Sequence, residues 1–444
     1  MDQIERLRWL DRTVVWHAFS QMAEYDGLII EEAQGCWLTD IEGKRYLDAA
    51  SSLWCNMFGH RVPEIDRAIQ EQLSKVAHVT NLGMSHPTTI RLAERLVEVA
   101  GRGLEHVFFA GDGASAVEVA MKMAYQYWRQ IPGAHGRRTK FLTLGDAYHG
   151  DTLGTVSLGG ISRFQQMFEP LLFEVVRGPC PDRSRRPDAM SESEVCEYYL
   201  GEYAKLLDAH AGEIVAVVAE SCIQGAAGFV MQPRGFLRGL HRLCRERGEL
   251  LILDEIAVGM GRTGKMFAFE HEEVAGERFS PDFVCLGKGL TGGYLAMSAT
   301  LTTRCVWEAF LGRRDEGKAF LHGHTYGGNP LAAAAGNAVL DLLQGRVGLE
   351  FIEKQGTEFG RRLEALRGGR GVRDVRSLGM MGGVEFHVEG AYGGLGSESS
   401  RICKKVLNQG VWLRPLGDVI PVLPPVVFED FDTLFSVLAT ALDL

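Results

Sequence analysis

The sequence LLILDEI over residues 250–256, followed by DFVCLGKG over residues 282–289, contains two short apolar runs that each lead into ionisable side chains. The first run opens with four aliphatic residues, which is typical of a strand covered on both faces of a sheet, and it ends at Asp254. The second run leads into Lys288, which stands between two glycines that let the backbone turn sharply. Because open α/β sheets bind ligands outside the carboxyl ends of their strands, we expect Asp254 and Lys288 to share one crevice.

This pairing favours a particular chemistry. A desolvated lysine loses its proton readily and becomes a nucleophile that condenses with an aldehyde. Pyridoxal phosphate is such an aldehyde, and a carboxylate such as Asp254 would hold the proton on its pyridine nitrogen. Taken alone, Lys288 would more often be a solvated loop residue, since lysine is rarely buried. The nearby acid at a second strand end favours the cofactor interpretation.

A competing motif overlaps the same stretch. Residues 259–265, GMGRTGK, have the spacing of a nucleotide-binding P-loop, but the next residue is Met266 where that motif requires a serine or threonine hydroxyl for Mg²⁺. We interpret the segment as a structured turn. A nucleotide-binding protein and a catalytically inactive interaction protein with the same fold are the alternatives to an enzyme.

Composition limits the class of protein. The chain has 444 residues, of which 46% are hydrophobic, enough for a large core and two or three domains. Its 57 acidic and 47 basic side chains are scattered and sum to a net charge of −10, which predicts no nucleic-acid partner. The N-terminus lacks a signal-peptide core and no apolar run reaches the ~18 residues of a membrane span, so we expect a cytoplasmic protein without membrane contact. The nine cysteines lack paired C-x-x-C spacing and predict reduced thiols and no metal site.

Strand-like and helix-like segments alternate from residue 106 onward, which predicts an α/β fold with a mainly parallel sheet flanked by helices. Before it, residues 28–50 alternate around a turn at 40–43 and predict a small antiparallel hairpin. Residues 177–197 are polar and without periodicity, which indicates a surface excursion. We expect a smaller α+β domain formed by both ends of the chain. The chain would then divide into three parts: an N-terminal segment of the small domain at 1–75, a large domain at 76–330, and a C-terminal small domain at 331–444.

Residues 110–118, AGDGASAVE, form a βα turn whose small residues and free backbone N–H groups favour a bound phosphate at the start of a helix. Asp112 would repel a phosphate unless its side chain caps that helix. An ordinary capped turn is the alternative interpretation.

Two more predicted strands place candidate side chains at the same edge of the sheet. Tyr148 and His149 follow the run at residues 141–144, and Tyr148 offers an aromatic face for stacking on a flat cofactor. His149 on its own would more often have a structural role. Glu220 ends the run at residues 214–219. The convergence of four strand ends predicts an active site at this edge.

Several of these motifs together resemble the class III aminotransferases, pyridoxal-phosphate enzymes of the aspartate-aminotransferase fold (fold type I). They are LDEI at residues 253–256, GRTG at 261–264, GKG at 287–289 and GG at 292–293, in this order. The resemblance implies that Lys288 bonds covalently to the cofactor, that Asp254 binds its ring nitrogen and that Tyr148 stacks on the ring. It also implies a homodimer with shared active sites. The cofactor-binding set would be Gly113, Ala114, Tyr148, Glu220, Asp254 and Lys288, together with Thr325 from the second subunit.

Further strings resemble the branch of this family that acts in biotin synthesis: SSLW at 51–54, YHGDT at 148–152, HG at 322–323 and VWLRP at 411–415. This resemblance implies transamination between a small-molecule amino donor, S-adenosylmethionine or lysine, and a keto acceptor. Another class III omega-aminotransferase, acting on a different amine or ketone, is the alternative. The implied substrate-binding residues are Phe19, Trp54, Gly323 and Arg414, with Arg414 binding a carboxylate.

Overall fold

The computed structural model describes residues 2–133, 137–185, 190–275, 279–387 and 397–444. Its helices are α1 Gln3–Thr13, α2 Ser51–Trp54, α3 Pro63–Leu73, α4 Pro87–Ala100, α5 Gly113–Gln130, α6 Leu153–Leu158, α7 Ser162–Gln165, α8 Glu192–Ala209, α9 Phe236–Arg247, α10 Arg304–Glu308, α11 Pro330–Gln344, α12 Leu349–Glu364, α13 Glu398–Asn408 and α14 Phe431–Ala441. Its strands are β1 Ile30–Gln34, β2 Trp37–Asp40, β3 Arg45–Asp48, β4 Leu104–Ala110, β5 Lys140–Thr143, β6 Val175–Arg177, β7 Ile214–Glu220, β8 Ile223–Gln224, β9 Val230–Met231, β10 Leu250–Asp254, β11 Phe283–Leu286, β12 Ser298–Thr303, β13 Val372–Leu378, β14 Met381–Phe386, β15 Val411–Trp412 and β16 Val419–Val422.

A seven-stranded sheet in the order β4-β12-β11-β10-β7-β5-β6 forms the centre of the molecule. Its neighbouring strands pair in parallel except at β12, which is antiparallel to both β11 and β4. The prediction of a mainly parallel sheet is therefore confirmed. Because β10, β7, β5 and β11 run the same way, their carboxyl ends meet at one edge.

The central strands are the most deeply buried elements of the sheet. Every residue of β7 and β10 is buried, since helices cover both faces, and Ile252 and Leu253 are fully excluded from solvent. Burying one such side chain stabilises the fold by ~1.5–3 kcal/mol, which explains why these runs contain only aliphatic residues until the sheet edge is reached. The change from apolar to ionisable residues therefore marks the strand end.

The two ends of the chain meet in a second, smaller sheet of order β1-β2-β3-β15. The predicted hairpin is present as β2 and β3, with β1 added on the outer side. The C-terminal strand β15 pairs in parallel with β3, matching Val411 with Leu47 and Trp412 with Asp48. The segments that follow these two strands therefore leave the sheet side by side. A separate three-stranded sheet, β13-β14-β16, completes the C-terminal part.

The structure corrects one sequence interpretation. Of the segment 177–197, residues 192–197 begin the helix α8, while residues 186–189 lie outside the described ranges. The helix start has a capping box, in which Ser191 accepts from the Glu194 N–H and Glu194 accepts from the Ser191 N–H. Asp182, in the same segment, is buried. The described part of this segment therefore includes a capped helix start and a buried acid, which the prediction of a surface excursion did not contain.

The P-loop-like segment forms a structured turn, as predicted. Gly261 and Gly264 have positive φ values of 88° and 89°. Residues 268–272 then form a short 3₁₀ turn in place of the long helix that a P-loop requires. Lys265 points outward, 3.7 Å from Glu353.

None of the helices in the described ranges combines the length and hydrophobicity that a bilayer crossing requires.

Candidate active site

A cavity of about 530 Å³ opens at the carboxyl edge of the central sheet. Its volume lies within the range of small-molecule sites, and it sits where parallel sheets bind ligands. Its walls include six residues singled out from the sequence: Gly113, Ala114, Tyr148, Glu220, Asp254 and Lys288. The expected meeting of Asp254 and Lys288 in one crevice is confirmed.

Lys288 follows β11 and opens a short 3₁₀ turn, Lys288–Thr291. Its φ of 41° lies in the left-handed region, a strained conformation that places its side chain in the cavity. Burial lowers the pKa of Lys288, although the carboxylates of Asp254 and Glu220 favour its charged form. A lowered pKa increases the fraction of neutral amine, the form that attacks an aldehyde.

Asp254 ends β10 and is held by two hydrogen bonds. Its Oδ2 lies 2.8 Å from Nδ1 of the fully buried His149, and its Oδ1 accepts the backbone N–H of Ile256 at 3.0 Å. Burial alone would lower the pKa of His149, but its hydrogen bond to Asp254 and the charges of Asp254 and Glu220 raise it above the ordinary value. His149 Nε2 is buried without a partner in the described part of the chain. The carboxylate is therefore both oriented and electrostatically supported from behind the cavity.

Glu220 ends β7, directly beside Asp254 in the parallel register. Its two oxygens accept the backbone N–H groups of Tyr148 at 3.1 Å and Gly225 at 2.8 Å. Burial raises the pKa of Glu220 to about 7, against the opposing effect of His149 and of these two N–H groups. Glu220 thus joins the loop after β5 to the turn after β8 and shapes two walls of the cavity.

Tyr148 is half-buried and lines the cavity through its ring. Its hydroxyl donates to Asp151 Oδ2 at 2.8 Å, and its backbone N–H donates to Glu220. Burial, followed by the hydrogen bond to Asp151, raises the pKa of Tyr148, so the phenol stays protonated at neutral pH. These two contacts fix the plane of the ring at the cavity wall.

The predicted phosphate turn begins the 18-residue helix α5, and Gly113 and Ala114 line the cavity at its start. Asp112 caps the helix, because its Oδ1 accepts the Ser115 N–H and its Oδ2 accepts the Ser115 hydroxyl, both at 2.9 Å. A Cβ at residue 113 would lie 2.9 Å from Ile256, so glycine is required for this close approach. The first N–H groups of the helix have no intrahelical partner and favour an anion.

A second cavity of about 510 Å³ adjoins the first and shares Trp54, Tyr148 and Lys288 with it. Phe19 and Arg414 line this second cavity, as the predicted substrate-binding role requires. Arg414 is exposed to solvent in the single chain. Its Nη2 lies 3.5 Å from the backbone oxygen of Phe19.

The remaining two predicted residues lie elsewhere. Gly323 and Thr325 are exposed on the loop before α11, and neither lines the walls described for the two cavities. A single chain therefore brings together all of the predicted site residues except these two. For Thr325 the predicted partner is the cavity of a second subunit.

The sequence did not predict a site role for three of the side chains found there. Asp151 holds the Tyr148 hydroxyl, and Arg163 and Phe164 line the second cavity. Asp151 lies only three residues beyond Tyr148, so its position was a usable signal. Arg163 and Phe164 belong to a short segment without periodicity, and only the folded chain brings them to Arg414.

Comparisons with known proteins agree with this geometry. The family model described as "Aminotransferase class-III" matches residues 20–442. The adenosylmethionine-8-amino-7-oxononanoate aminotransferase of Nitratidesulfovibrio vulgaris (Hildenborough) is 44% identical over 427 residues, covering 95% of this chain and 78% of that protein. The enzyme of the same name from Aquifex aeolicus is 43% identical over 433 residues, covering 95% and 93% respectively.

Solved structures give the same assignment. The crystal structure of adenosylmethionine-8-amino-7-oxononanoate aminotransferase from Methanocaldococcus jannaschii superposes with a TM-score of 0.90 at 38% identity, covering 99% of each chain. An amine transaminase from an uncultivated Pseudomonas species, in its PLP-bound form, superposes with a TM-score of 0.90 at 30% identity, covering 97% of this chain and 98% of that one. The fold is that of the fold type I pyridoxal-phosphate transferases, and the chain belongs to the class III aminotransferases.

Proposed function

We propose that this protein transfers an amino group to 8-amino-7-oxononanoate, forming 7,8-diaminononanoate in biotin biosynthesis, with pyridoxal 5'-phosphate as cofactor. The amino donor is S-adenosyl-L-methionine or L-lysine. The observation that carries the proposal is the position of Lys288, which lines both the cavity at the sheet edge and the cavity that contains Arg414. Relatives that are 40–44% identical over nearly the whole chain and bear the name of this activity support it.

The residues of the first cavity fit the cofactor. The uncapped N–H groups at the start of α5 suit its phosphate, the Asp254 carboxylate suits its protonated ring nitrogen, and the Tyr148 ring suits one face of its pyridine. Lys288 supplies an amine of lowered pKa for its aldehyde. When bound, the cofactor withdraws electrons from the carbon that loses or gains a proton.

The chain's own side chains complete the reaction. As a neutral amine, Lys288 Nζ would accept a proton from the amino-bearing carbon of the donor in one half-reaction, and as an ammonium it would supply a proton to the carbonyl carbon of the acceptor in the other. Asp254 is oriented by the His149 contact and would hold the ring-nitrogen proton. Trp54 lines both cavities, and Lys288 Nζ lies 4.9 Å from the centre of its ring, so the indole covers one side of the amine.

Both half-reactions use molecules that carry a carboxylate. Arg414 offers a planar pair of donors for this group, and Arg163 adds a second positive charge in the same cavity. Phe19, which lies under Arg414 with its ring centre 5.8 Å from the guanidinium carbon, supplies apolar surface for the substrate chain. A single carboxylate site can therefore serve donor and acceptor in turn.

We also propose a cytoplasmic homodimer in which Gly323 and Thr325 complete the partner's cavity. Their exposure on one loop, beside the exposed Leu321 and Tyr326, supports this arrangement. The division of the chain at residues 75 and 330 stays a prediction.

The alternative function is transamination of simple amines or ketones by another type of class III enzyme. It is favoured by the close superposition of omega-transaminases, with TM-scores of 0.91 at 25–28% identity. A panel of amino donors against 8-amino-7-oxononanoate and simple ketones separates the two. We expect diaminononanoate to form with S-adenosylmethionine or lysine. Amination of simple ketones without amination of the oxononanoate would favour the alternative.

A further inference from the structure

The segment that carries Trp54 has a strained backbone. Ser51, Ser52 and Trp54 have positive φ values of 50°, 57° and 65°, a region that residues with side chains rarely occupy. Such conformations are energetically unfavourable and persist only where the surrounding structure enforces them. The turn at 51–54 must therefore be held by contacts outside itself.

The side chain of Asp48 makes the main hydrogen bonds that hold this turn. It is fully buried at the end of β3, and its carboxylate accepts the N–H of Ser52 at 3.0 Å and the N–H of Ala50 at 3.2 Å. Asp48 Oδ2, the oxygen that accepts the Ser52 N–H, also lies 3.0 Å from Nε2 of His60. His60 thereby orients the carboxylate that in turn fixes the backbone before Trp54.

The opposite side of the turn is closed by backbone. Gly293, with a φ of 85°, lies so near the turn that a Cβ would be 2.8 Å from the backbone of Cys55. The Ser51 hydroxyl donates to the Leu423 oxygen at 2.7 Å. The turn is thus enclosed by backbone on one side and hydrogen-bonded to the buried Asp48 carboxylate on the other.

The side chain of Trp54 depends on this backbone for its position. Its ring lies edge-on to Phe229 at 5.2 Å between centres, and Lys288 Nζ lies 4.9 Å from its centre. These are packing contacts and not directional hydrogen bonds, so they do not fix the ring by themselves. A change in the backbone of the turn would therefore shift the ring relative to Lys288. Because Trp54 lines both cavities, such a shift would alter the space for the substrate carbon at the amine.

We infer that Asp48 and His60 are positioning residues, which hold the strained turn so that Trp54 stays over Lys288 and sets how tightly the acceptor binds. This inference rests on the proposed function for the identity of the acceptor. The position of the Trp54 ring is a property of the protein alone and can be measured without substrate.

The experiment compares four variants of the cofactor-loaded enzyme. Asp48→Asn leaves one oxygen for the turn but faces His60 with an amide N–H. His60→Leu removes the ring donor, whereas His60→Gln keeps an N–H donor in the place of Nε2. The matched control is Asp40→Asn, since Asp40 is also buried in the same sheet and its Oδ1 accepts two turn N–H groups, from Glu42 and Lys44, both at 2.9 Å.

Incorporation of 5-fluorotryptophan gives a ¹⁹F signal for each of the seven tryptophans, and Trp54→Phe identifies the Trp54 resonance. We expect this resonance to shift or broaden in Asp48→Asn and His60→Leu, to stay near the parent position in His60→Gln, and to be unmoved in Asp40→Asn. In Asp48→Asn and His60→Leu we also expect KM for the oxononanoate to rise by on the order of tenfold with a smaller change in kcat, because a positioning group has been displaced.

An unchanged resonance and unchanged KM in His60→Leu would overturn the inference, even if Asp48→Asn failed to fold. Equal displacement of the resonance in Asp40→Asn would overturn it too, because the effect would then be one of general stability. If the parent enzyme did not aminate the oxononanoate but the Trp54 resonance followed the expected pattern, the proposed function would fail while the positioning role stood.

Discussion

His149 Nδ1 lies 2.8 Å from Asp254 Oδ2 at the carboxyl end of β10, and both side chains are buried. The contact joins a loop after β5 to a strand two positions away in the sheet. The histidine therefore helps to fix the orientation of Asp254, the proposed partner of a protonated ring nitrogen.

Asp254→Asn should preserve the shape of the site but remove the charge that favours the protonated ring. We expect kcat to fall by about 100-fold or more. This is the lower end of the rate contribution that a positioned acid or base makes to a proton transfer. Steady-state kinetics and thermal unfolding, measured together, test whether turnover falls more than stability does.

Asp282→Asn is the matched control for that experiment. Asp282 is buried in the same sheet but next to the opposite end of β10, where its Oδ2 accepts the Leu251 N–H at 2.8 Å. Its replacement should lower stability and leave kcat of the folded enzyme near the parent value. Unchanged turnover in Asp254→Asn would show that the carboxylate has another role.

The His149 contact predicts a pH dependence of stability. Because the pKa of His149 is raised in the folded protein, its charged form stabilises the fold below the ordinary pKa of 6.5, and this contribution is lost as pH rises through the higher folded value. His149→Asn keeps a donor near Nδ1 without the charge. Denaturant unfolding of both proteins across this range should show a stability difference that is largest in acid and declines toward alkaline pH. A difference independent of pH would contradict the prediction.

Arg414→Lys should weaken kcat/KM for the oxononanoate by on the order of tenfold, since a hydrogen bond to a charged group contributes about 1.5–3 kcal/mol. Lysine keeps the charge but not the planar pair of donors. No salt bridge involves Arg414 among the described residues, so a merely structural ion pair does not explain its place in the cavity.

An acceptor with a neutral amide in place of its carboxylate is the decisive comparison for Arg414. If parent and Arg414→Lys discriminate equally between acid and amide, Arg414 does not bind the carboxylate. Arg163→Lys serves as the parallel variant, because Arg163 lines the same cavity. A larger loss of discrimination in that variant would assign the carboxylate to Arg163.

The sequence predicts those parts of the site that depend on strand ends. A fully buried strand must be apolar throughout, so the first ionisable residue after it, such as Asp254 or Lys288, marks the sheet edge without knowledge of the fold. The helix cap at Asp112 could equally be predicted, because Asp followed three residues later by Ser is a local capping pattern.

Contacts between distant segments could not be predicted in this way. His149 reaches Asp254 across 105 positions in the chain, and a buried histidine has no distinctive sequence pattern. The pairing of β15 with β3 spans the whole chain, yet it sets the relation of Arg414 to Trp54. The start of α8 was missed for another reason, since its capping box at Ser191 and Glu194 was present but the surrounding polarity concealed it.

The most direct test of the central claim is to locate the covalent bond between protein and cofactor. The loaded enzyme is reduced with borohydride, digested, and its peptides are weighed by mass spectrometry, with Lys288→Ala and Lys265→Ala as paired variants. Lys265 is the control because it lies in the glycine-rich turn but faces outward toward Glu353. We predict that the cofactor mass is found on the peptide containing Lys288, that Lys288→Ala loses both the adduct and turnover, and that Lys265→Ala retains both. An adduct on another lysine, or turnover near the parent rate in Lys288→Ala, would contradict the assignment.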